Sequence, residues 1–387
     1  MNVELLTLLR TAVLTALLLS VFAPTASFLR LLDEPDNKRK LHSGNVPLTG
    51  GISLYLSLVV VFYISGLATA SLTNNENFWL ITMAMLAILV MLHAVDDVVE
   101  LRAETRLAID ALLAFLICSE ALVKLTTLGD LFGMGEVTLG RYSVVMTIFC
   151  FVAASNAFNM VDGIDSLCSG LGFVALGTLL ALISIGGAPG GDQLAGAIMV
   201  VMVALVVTYA ANLGALGKPL RVFLGDSGAR LIAFIVAITL IVAAQKRLIH
   251  PVMAYFTIAV PVCDCLVLMG VRAFKGRSPI SGDRLHLHHL LQDIGFSAPQ
   301  ARRAILSLAV AVAACGVLFQ VSDAPDWVVS VFVVGSFWMY IALRLWLARP
   351  ASRRTIRRLW LWLAILARKN PRASSWGHPL KRWQSGR

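Results

Sequence analysis

The feature that most limits what this chain can fold into is a series of long apolar stretches. Eleven of them have about 17 to 25 residues, the length at which an α-helix crosses a bilayer. Since 58% of the residues are hydrophobic and only 14% are charged, an ordinary soluble globular protein is excluded. The sequence predicts an all-α polytopic membrane protein, with residues 1–349 as one transmembrane domain. The stretches lie near residues 10–30, 50–70, 78–95, 107–127, 142–158, 169–186, 194–212, 229–245, 250–271, 303–321 and 327–347.

The distribution of basic residues between alternate connections predicts the orientation of the helices, because cytoplasmic loops hold the excess of Lys and Arg. One set of connections contains the basic tail 350–387 and Arg30, Lys38, Arg39, Lys40, Arg102, Arg106, Lys218, Arg221, Arg272, Lys275, Arg277, Arg284 and Arg302. The other set contains Arg10, Arg141, Lys246 and Arg247. We therefore expect the N-terminus outside and the C-terminus in the cytoplasm.

The net charge of +10 is explained by the same loops and by the tail. Arg and Trp side chains in 350–387 are typical of an interfacial helix that lies on a membrane. We expect anionic lipid, and not nucleic acid, as the partner of this charge.

One polar segment, Asn156–Gly170 with the sequence NAFNMVDGIDSLCSG, separates two apolar stretches. Asn159, Asp162 and Asp165 recur at every third position, so in any helical turn they share one face. Their oxygens suit a hard cation or a sugar hydroxyl. Irregular backbone at membrane depth is tolerated only where it lines a protein cavity or water. This pattern favours a functional site over a purely structural polar turn.

Two adjacent carboxylates, Asp96 and Asp97, end the third apolar stretch. At a membrane boundary they repel each other and are costly unless a cation or a proton lies between them. Arg106 follows ten residues after Asp96 and can return to the same helical face, where it can hold an anionic phosphate. The alternative is that these acids are solvated loop charges.

The sequence Gly225-Asp226-Ser227-Gly228 opens the eighth apolar stretch. Backbone N–H groups at a helix N-terminus favour an anion, and the Asp226 carboxylate can bind a metal. Phe223 can offer a flat face to a nucleobase, although an ordinary core position is the alternative.

The ninth stretch contains Asp264, an intramembrane acid that must have a partner, which the sequence does not identify. The cytoplasmic loop 272–302 follows it. Contacts with phosphate and sugar are the preferred interpretation of the polar residues there, with zinc as the alternative, because His-x-His-His is an awkward local ligand set. The candidates are Arg284, His286, His288 and His289.

Four motifs, DDVVELR, NAFNMVDGID, VFLGDSG and DRLHLHHL, resemble in this order those of the polyprenyl-phosphate N-acetylhexosamine-1-phosphate transferase family. The resemblance extends from about Pro35 to beyond the eleventh stretch. NAFNMVDGID and the HxHH loop are most similar to the branch that uses UDP-GlcNAc and undecaprenyl phosphate. The peptidoglycan-precursor branch typically has three consecutive histidines at this loop.

The resemblance implies transfer of GlcNAc-1-phosphate from UDP-GlcNAc to undecaprenyl phosphate, giving undecaprenyl-pyrophosphate-GlcNAc and UMP. It further implies Mg²⁺ or Mn²⁺ as cofactor, an active site on the cytoplasmic side of the bacterial inner membrane, and a role in starting a cell-envelope glycan such as O-antigen. By motif, Asp96 and Asp97 match the catalytic carboxylates, and Asp226 and Asn159 match metal ligands.

The remaining matches concern substrate. Asp162 and Asp165 match nucleotide contacts, Phe223 matches the aromatic that stacks on uracil, and Arg106 matches a basic residue for phosphates. Glu100 stands where many relatives have Asp, which leaves its role open.

Two alternatives to this assignment stay open, as does a homodimer. Another UDP-N-acetylhexosamine can be the donor in the same reaction. A transporter or flippase also places acids in broken helices, although the sequence has no visible inverted repeat.

Overall fold

The computed structural model describes residues 4–33, 45–69, 71–279 and 285–349, and these residues form twelve α-helices. Arg284 and the predicted interfacial helix of the tail lie outside the described residues. Each of the eleven apolar stretches overlaps one helix, and α10 is an additional short one. The helices are α1 (Leu5–Thr25), α2 (Gly50–Ile64), α3 (Phe78–Val99), α4 (Ala103–Glu120), α5 (Ser143–Val161), α6 (Leu167–Gly186), α7 (Gly191–Asn212), α8 (Gly225–Gln245), α9 (Ala254–Phe274), α10 (Leu287–Ile294), α11 (Ala298–Val321) and α12 (Asp326–Ala348).

The predicted all-α polytopic architecture is confirmed. Within the described ranges, nine helices are long and apolar enough to cross a membrane, namely α1, α3, α5 to α9, α11 and α12. The helix α2 has 15 residues. The helix α4 has 18 residues, and its sequence includes four charged side chains. The count of eleven spans and the orientation therefore stay predictions.

Helix α8 lies at the centre of the bundle. Its apolar run LIAFIVAITLIVAA has no polar side, which is typical of a helix that others enclose, and its whole membrane span is buried. It packs against α2, α3, α5, α6 and α7. The peripheral α1 and α12 expose large apolar side chains such as Val13 and Trp338. The first turn of α8 is thus surrounded by the ends of several other helices.

A small antiparallel ribbon supports this end of α8. Strand β1 (Leu32–Asp33) pairs with β2 (Val46–Pro47), directly before α2. The backbone N–H of Phe223 donates to the carbonyl of Pro47 at 2.7 Å, and the N–H of Gly50 donates to the carbonyl of Phe223 at 3.0 Å. Backbone hydrogen bonds therefore join the start of α2 to the segment that leads into α8.

Close packing at this junction requires glycine. A Cβ atom at Gly51 would overlap the backbone of Gly228, whereas a Cβ atom at Gly335 in α12 would meet open space. We expect Gly51→Ala to lower the thermal midpoint of the detergent-purified protein by several degrees, because overpacking costs about 1–3 kcal/mol. The matched Gly335→Ala variant should keep or raise the midpoint, since Ala favours helix. Equal midpoints for both variants would contradict the close approach of α2 and α8.

Candidate active site

The polar segment between α5 and α6 is a tight turn. Helix α5 ends one residue before Asp162, and α6 begins directly after Ser166, whose backbone is left-handed with φ of 63°. Asn159 is therefore helical, while Asp162 and Asp165 lie in the turn. The spacing of three residues therefore does not place these side chains on one helical face, because the helix ends before it reaches the two acids.

Asp96 and Asp97 lie in the last turn of α3, and their carboxylates have different partners. Oδ1 of Asp97 accepts a hydrogen bond from the backbone N–H of Asp226 at 2.8 Å, at the start of α8. Asp96 is only 3% exposed, and its Oδ1 accepts the backbone N–H of Leu101 at 2.7 Å. Since a helix N-terminus favours negative charge, Asp97 is held against α8 while Asp96 is buried in the bundle.

Arg106, in the first turn of α4, joins two of these acids. Its Nη1 lies 3.2 Å from Oδ2 of Asp226 and 3.5 Å from Oδ2 of Asp96. The Arg106 side chain is still 32% exposed, so the guanidinium has donors left for an incoming anion. Arg106 can thus offset the charge of the carboxylates and also bind phosphate.

Asp162 belongs to the same electrostatic cluster. Loss of surrounding water, together with the negative charges of Asp226, Asp97 and Asp165, raises the pKa of Asp162 well above its ordinary value of 3.8. Acids from α3, from the turn after α5 and from α8 are therefore close enough to repel one another.

A second group of predicted residues lies beside this turn. Nη2 of Arg221 is 3.1 Å from Oδ2 of Asp165, and the Arg221 guanidinium lies 5.7 Å from the centre of the Phe223 ring. Arg302 of α11 donates to the backbone carbonyl of Asp165 at 3.1 Å. Asp165 and Phe223 are thus linked through one arginine, whose guanidinium lies over the Phe223 ring.

The structure identifies the partners of the intramembrane acid Asp264. Nδ1 of His286 lies 3.1 Å from Oδ2 of Asp264, and the Tyr340 hydroxyl donates to Oδ1 at 2.7 Å. Arg344 also donates to Oδ1. His286 is only 6% exposed, so its position is explained by this internal cluster, which joins the start of α10 to α9 and α12.

The next histidines of the loop lie beside the turn at Asp162. A Cβ atom at Gly163 would come within 2.5 Å of Nε2 of His288. The ring centres of His288 and His289 are 4.2 Å apart. The helix α10 therefore brings both side chains next to the carboxylate cluster, although they come late in the chain.

Comparison with known proteins assigns the chain to a family. The family model "Glycosyl transferase family 4" matches residues 78–244. The undecaprenyl-phosphate alpha-N-acetylglucosaminyl 1-phosphate transferase of Escherichia coli (strain K12) is 35% identical over 353 residues, which cover 89% of this chain and 92% of that protein. The chain belongs to glycosyl transferase family 4. Proteins of the same name from Yersinia pestis and Haemophilus influenzae are 35% and 31% identical, over 85% and 88% of this chain and 88% and 95% of their own length.

Family membership makes this protein a phosphoglycosyltransferase. The matched range runs from the start of α3 to the end of α8. It includes the carboxylates of Asp97, Asp162 and Asp226 and the guanidinium of Arg106. The histidines of α10 lie beyond the matched range, but the contact of His288 with Gly163 joins them to it.

The donor set at this site fits a hard divalent cation. Oδ2 of Asp96 is buried and accepts no hydrogen bond from the described residues. Asp226 adds carboxylate oxygens, and the amide of Asn159, three residues before Asp162 in the last turn of α5, is of the oxygen-donor type that Mg²⁺ and Mn²⁺ also accept. Within the described ranges, no three His, Cys, Asp or Glu side chains form a complete metal cage.

The sequence interpretation missed one buried acid near the site, Asp110 of α4. It is fully buried, and its carboxylate binds side chains from three other helices. A signal existed, because Asp110 follows Arg106 by one helical turn and lies in a helix whose next residues are apolar. A fully buried acid in a largely apolar bundle is itself a reason to expect a function.

The raised pKa of Asp162 leads to a prediction about stability. Its ionisation opposes folding, and this effect is absent below the ordinary pKa of 3.8 and grows as the pH rises toward the raised value. We expect Asp162→Asn to raise the thermal midpoint of chelator-treated protein, with a larger gain at about pH 8 than at about pH 5.

The control for this comparison is Asp323→Asn, which changes an exposed acid in the turn before α12. Its midpoint should follow that of the parent protein at both pH values. A gain for Asp162→Asn that does not change with pH would show that charge repulsion is not its cause.

Proposed function

We propose that this protein transfers GlcNAc-1-phosphate from UDP-GlcNAc to undecaprenyl phosphate and releases UMP. One observation carries the proposal. The carboxylates of Asp97, Asp162 and Asp226 lie close together beside the Arg106 guanidinium, at one end of the bundle. The activity that gives its name to relatives aligned over most of this chain supports the choice of donor and acceptor. A carrier would not release UMP from UDP-GlcNAc, so a UMP assay in detergent separates it from a transferase.

The reaction requires two anions to approach each other. An oxygen of the lipid phosphate attacks the β-phosphorus of the donor, and the bond between this phosphorus and the bridging oxygen breaks, so that UMP leaves. The main task of the protein is to align the two phosphates and to offset their charge. When bound, Mg²⁺ or Mn²⁺ supplies positive charge to the phosphates. We assign Asp226, Asn159 and Asp96 to hold this cation.

The roles of the other site residues are assigned from their contacts. Arg106 is assigned to phosphate because its guanidinium is partly exposed beside Asp226. Asp97, whose Oδ1 is fixed by the first turn of α8, is assigned to accept a proton from the lipid phosphate. The remaining substrate contacts are assigned by their positions around the turn, with the nucleoside next to Asp162, Asp165 and Phe223 and phosphate or sugar next to His288 and His289. The assignment of Arg284 to phosphate or sugar rests on its motif alone.

A cytoplasmic active site is part of the proposal. UDP-sugars are cytosolic, whereas a polyprenyl chain reaches the site only from the bilayer. The product would then start a cell-envelope glycan in a bacterial inner membrane.

Replacement of single carboxylates tests the mechanism. We expect Asp97→Asn and Asp226→Asn each to lower UMP release by about a hundredfold or more, because each removes charge at the reacting phosphates. Both proteins should elute from size-exclusion chromatography in detergent like the parent protein. The exposed Asp192→Asn in the first turn of α7 serves as the matched control and should keep full activity. Full turnover in either test variant would remove that residue from the mechanism.

Cysteine labelling tests the orientation. Glu76 lies in the exposed loop before α3, and Lys275 lies directly after α9. A membrane-impermeant maleimide should label Glu76→Cys on intact cells and should label Lys275→Cys only after permeabilisation. The parent protein gives the background, because its six free cysteines lie within helices. The reverse labelling pattern would overturn the cytoplasmic assignment.

A further inference from the structure

A layer of buried polar side chains lies beneath the carboxylates of the site. Oδ1 of Asp110 accepts a hydrogen bond from Nε2 of His93 at 2.9 Å. Oδ2 of Asp110 accepts one from the Ser155 hydroxyl at 2.8 Å and one from Arg230. Arg230 also donates to the Ser155 oxygen at 2.9 Å. These four residues, here called the Asp110 network, are almost completely buried.

Three of the helices that contribute to the Asp110 network also contribute side chains to the site one turn away. His93, Ser155 and Arg230 come from the three helices that also hold assigned metal-binding side chains. One helical turn separates the two members of each pair, which therefore share a helix face: His93 and Asp96 on α3, Ser155 and Asn159 on α5, Arg230 and Asp226 on α8. In the first pair, Nδ1 of His93 also lies 3.8 Å from Oδ2 of Asp96.

We propose that Asp110 is a positioning residue of the active site, which fixes α3, α5 and α8 relative to one another and thereby sets the spacing of Asp96, Asn159 and Asp226. The role assigned to that spacing, binding of a divalent cation and two phosphates, rests on the proposed function. Asp110 itself lies on α4 and is not assigned any contact with substrate.

The physical reason is the high cost of separating buried charges. Arg230 and Asp110 are both removed from water, so loss of either partner leaves an uncompensated charge in a medium of low dielectric constant. The hydrogen bonds from His93 and Ser155 form only at one relative height of their helices. The Asp110 network can therefore resist the mutual repulsion of the acids one turn above it.

Cation binding is sensitive to such support. Ligand oxygens have to be held within a fraction of an ångström of their productive positions. Loss of a group that orients metal ligands typically costs about 10–100-fold in metal affinity or activity. A positioning role thus predicts a defect in protein that is still folded, whereas a purely structural role predicts only less folded protein.

Two variants separate a positioning role of Asp110 from a purely structural one. They are Asp110→Asn and the double variant Asp110→Asn/Arg230→Gln. The single variant leaves Arg230 without its counter-charge and should lower the thermal midpoint, and the double variant should recover much of this loss. In purified full-length protein, both should lower kcat at saturating Mn²⁺ about 10–100-fold and Mn²⁺ affinity about tenfold. Mn²⁺ affinity is measured from the electron paramagnetic resonance signal of free Mn²⁺, without substrate.

Thr239→Val provides the matched control, because Thr239 is buried on α8 and bonds only to carbonyls of its own helix among the described contacts. It should leave Mn²⁺ affinity and kcat unchanged.

The proposal is overturned if Asp110→Asn keeps parental Mn²⁺ affinity and turnover. It is also overturned if the double variant recovers both Mn²⁺ affinity and turnover along with the midpoint, since the network would then only stabilise the fold.

Should Asp110→Asn not accumulate, Ser155→Ala removes a single neutral hydroxyl and should show the same two defects in smaller degree. Parental values for Ser155→Ala would overturn the proposal. If the parent protein released no UMP from UDP-GlcNAc, the proposed function would fail, while Mn²⁺ binding would still decide the role of Asp110.

Discussion

Repulsion between carboxylates at the end of an apolar bundle is the constraint on which the rest of the structure depends. Asp97 and Asp226 approach each other because backbone N–H groups at the start of α8 bind the Asp97 carboxylate. Arg106 lies between Asp226 and Asp96 and offsets part of their charge. This compensation is incomplete, since the pKa of Asp162 remains raised by its charged neighbours and by its removal from water. Excess negative charge of this kind can be balanced by a bound divalent cation, which would then also attract an incoming phosphate.

The bundle holds this unfavourable cluster with two separate sets of buried charges. Asp110 joins α4 to α3, α5 and α8, while Asp264 joins α9 to the start of α10 and to α12. In each set an arginine is the counter-charge, and a lost partner would leave a buried charge without compensation. Apolar packing alone permits helices to slide with little change in buried area. Directional bonds between buried polar groups do not permit such sliding, so they can fix the helix ends that carry the site.

Much of the fold was predictable because the membrane fixes the length and polarity of a helix, and α8 is the simplest example. Its first turn and the turn around Asp162 were also predictable as site elements, since polar residues at membrane depth need a reason. The partners of Asp264 were not predictable. Tyr340 and Arg344 come from α12, far along the chain, and no local pattern relates them to an acid in α9. The position of Asp165 in the turn depends on the end of α5 at Val161, which the regular spacing of the three polar residues does not signal.

The two adjacent acids of α3 show why the sequence motif alone cannot assign roles. Neighbouring residues of a helix point about 100° apart, so Asp96 and Asp97 enter different surroundings. Asp96 contacts the Leu101 amide and lies near His93, within the buried layer. Asp97 lies against Gly225, where a Cβ atom would come within 2.5 Å of its Oδ2 and where the backbone has φ of +69°. Only glycine permits both this conformation and this approach. In the proposed mechanism Asp96 holds the cation beside the buried layer and Asp97 faces the reacting phosphates, so different surroundings give two chemically identical groups different tasks.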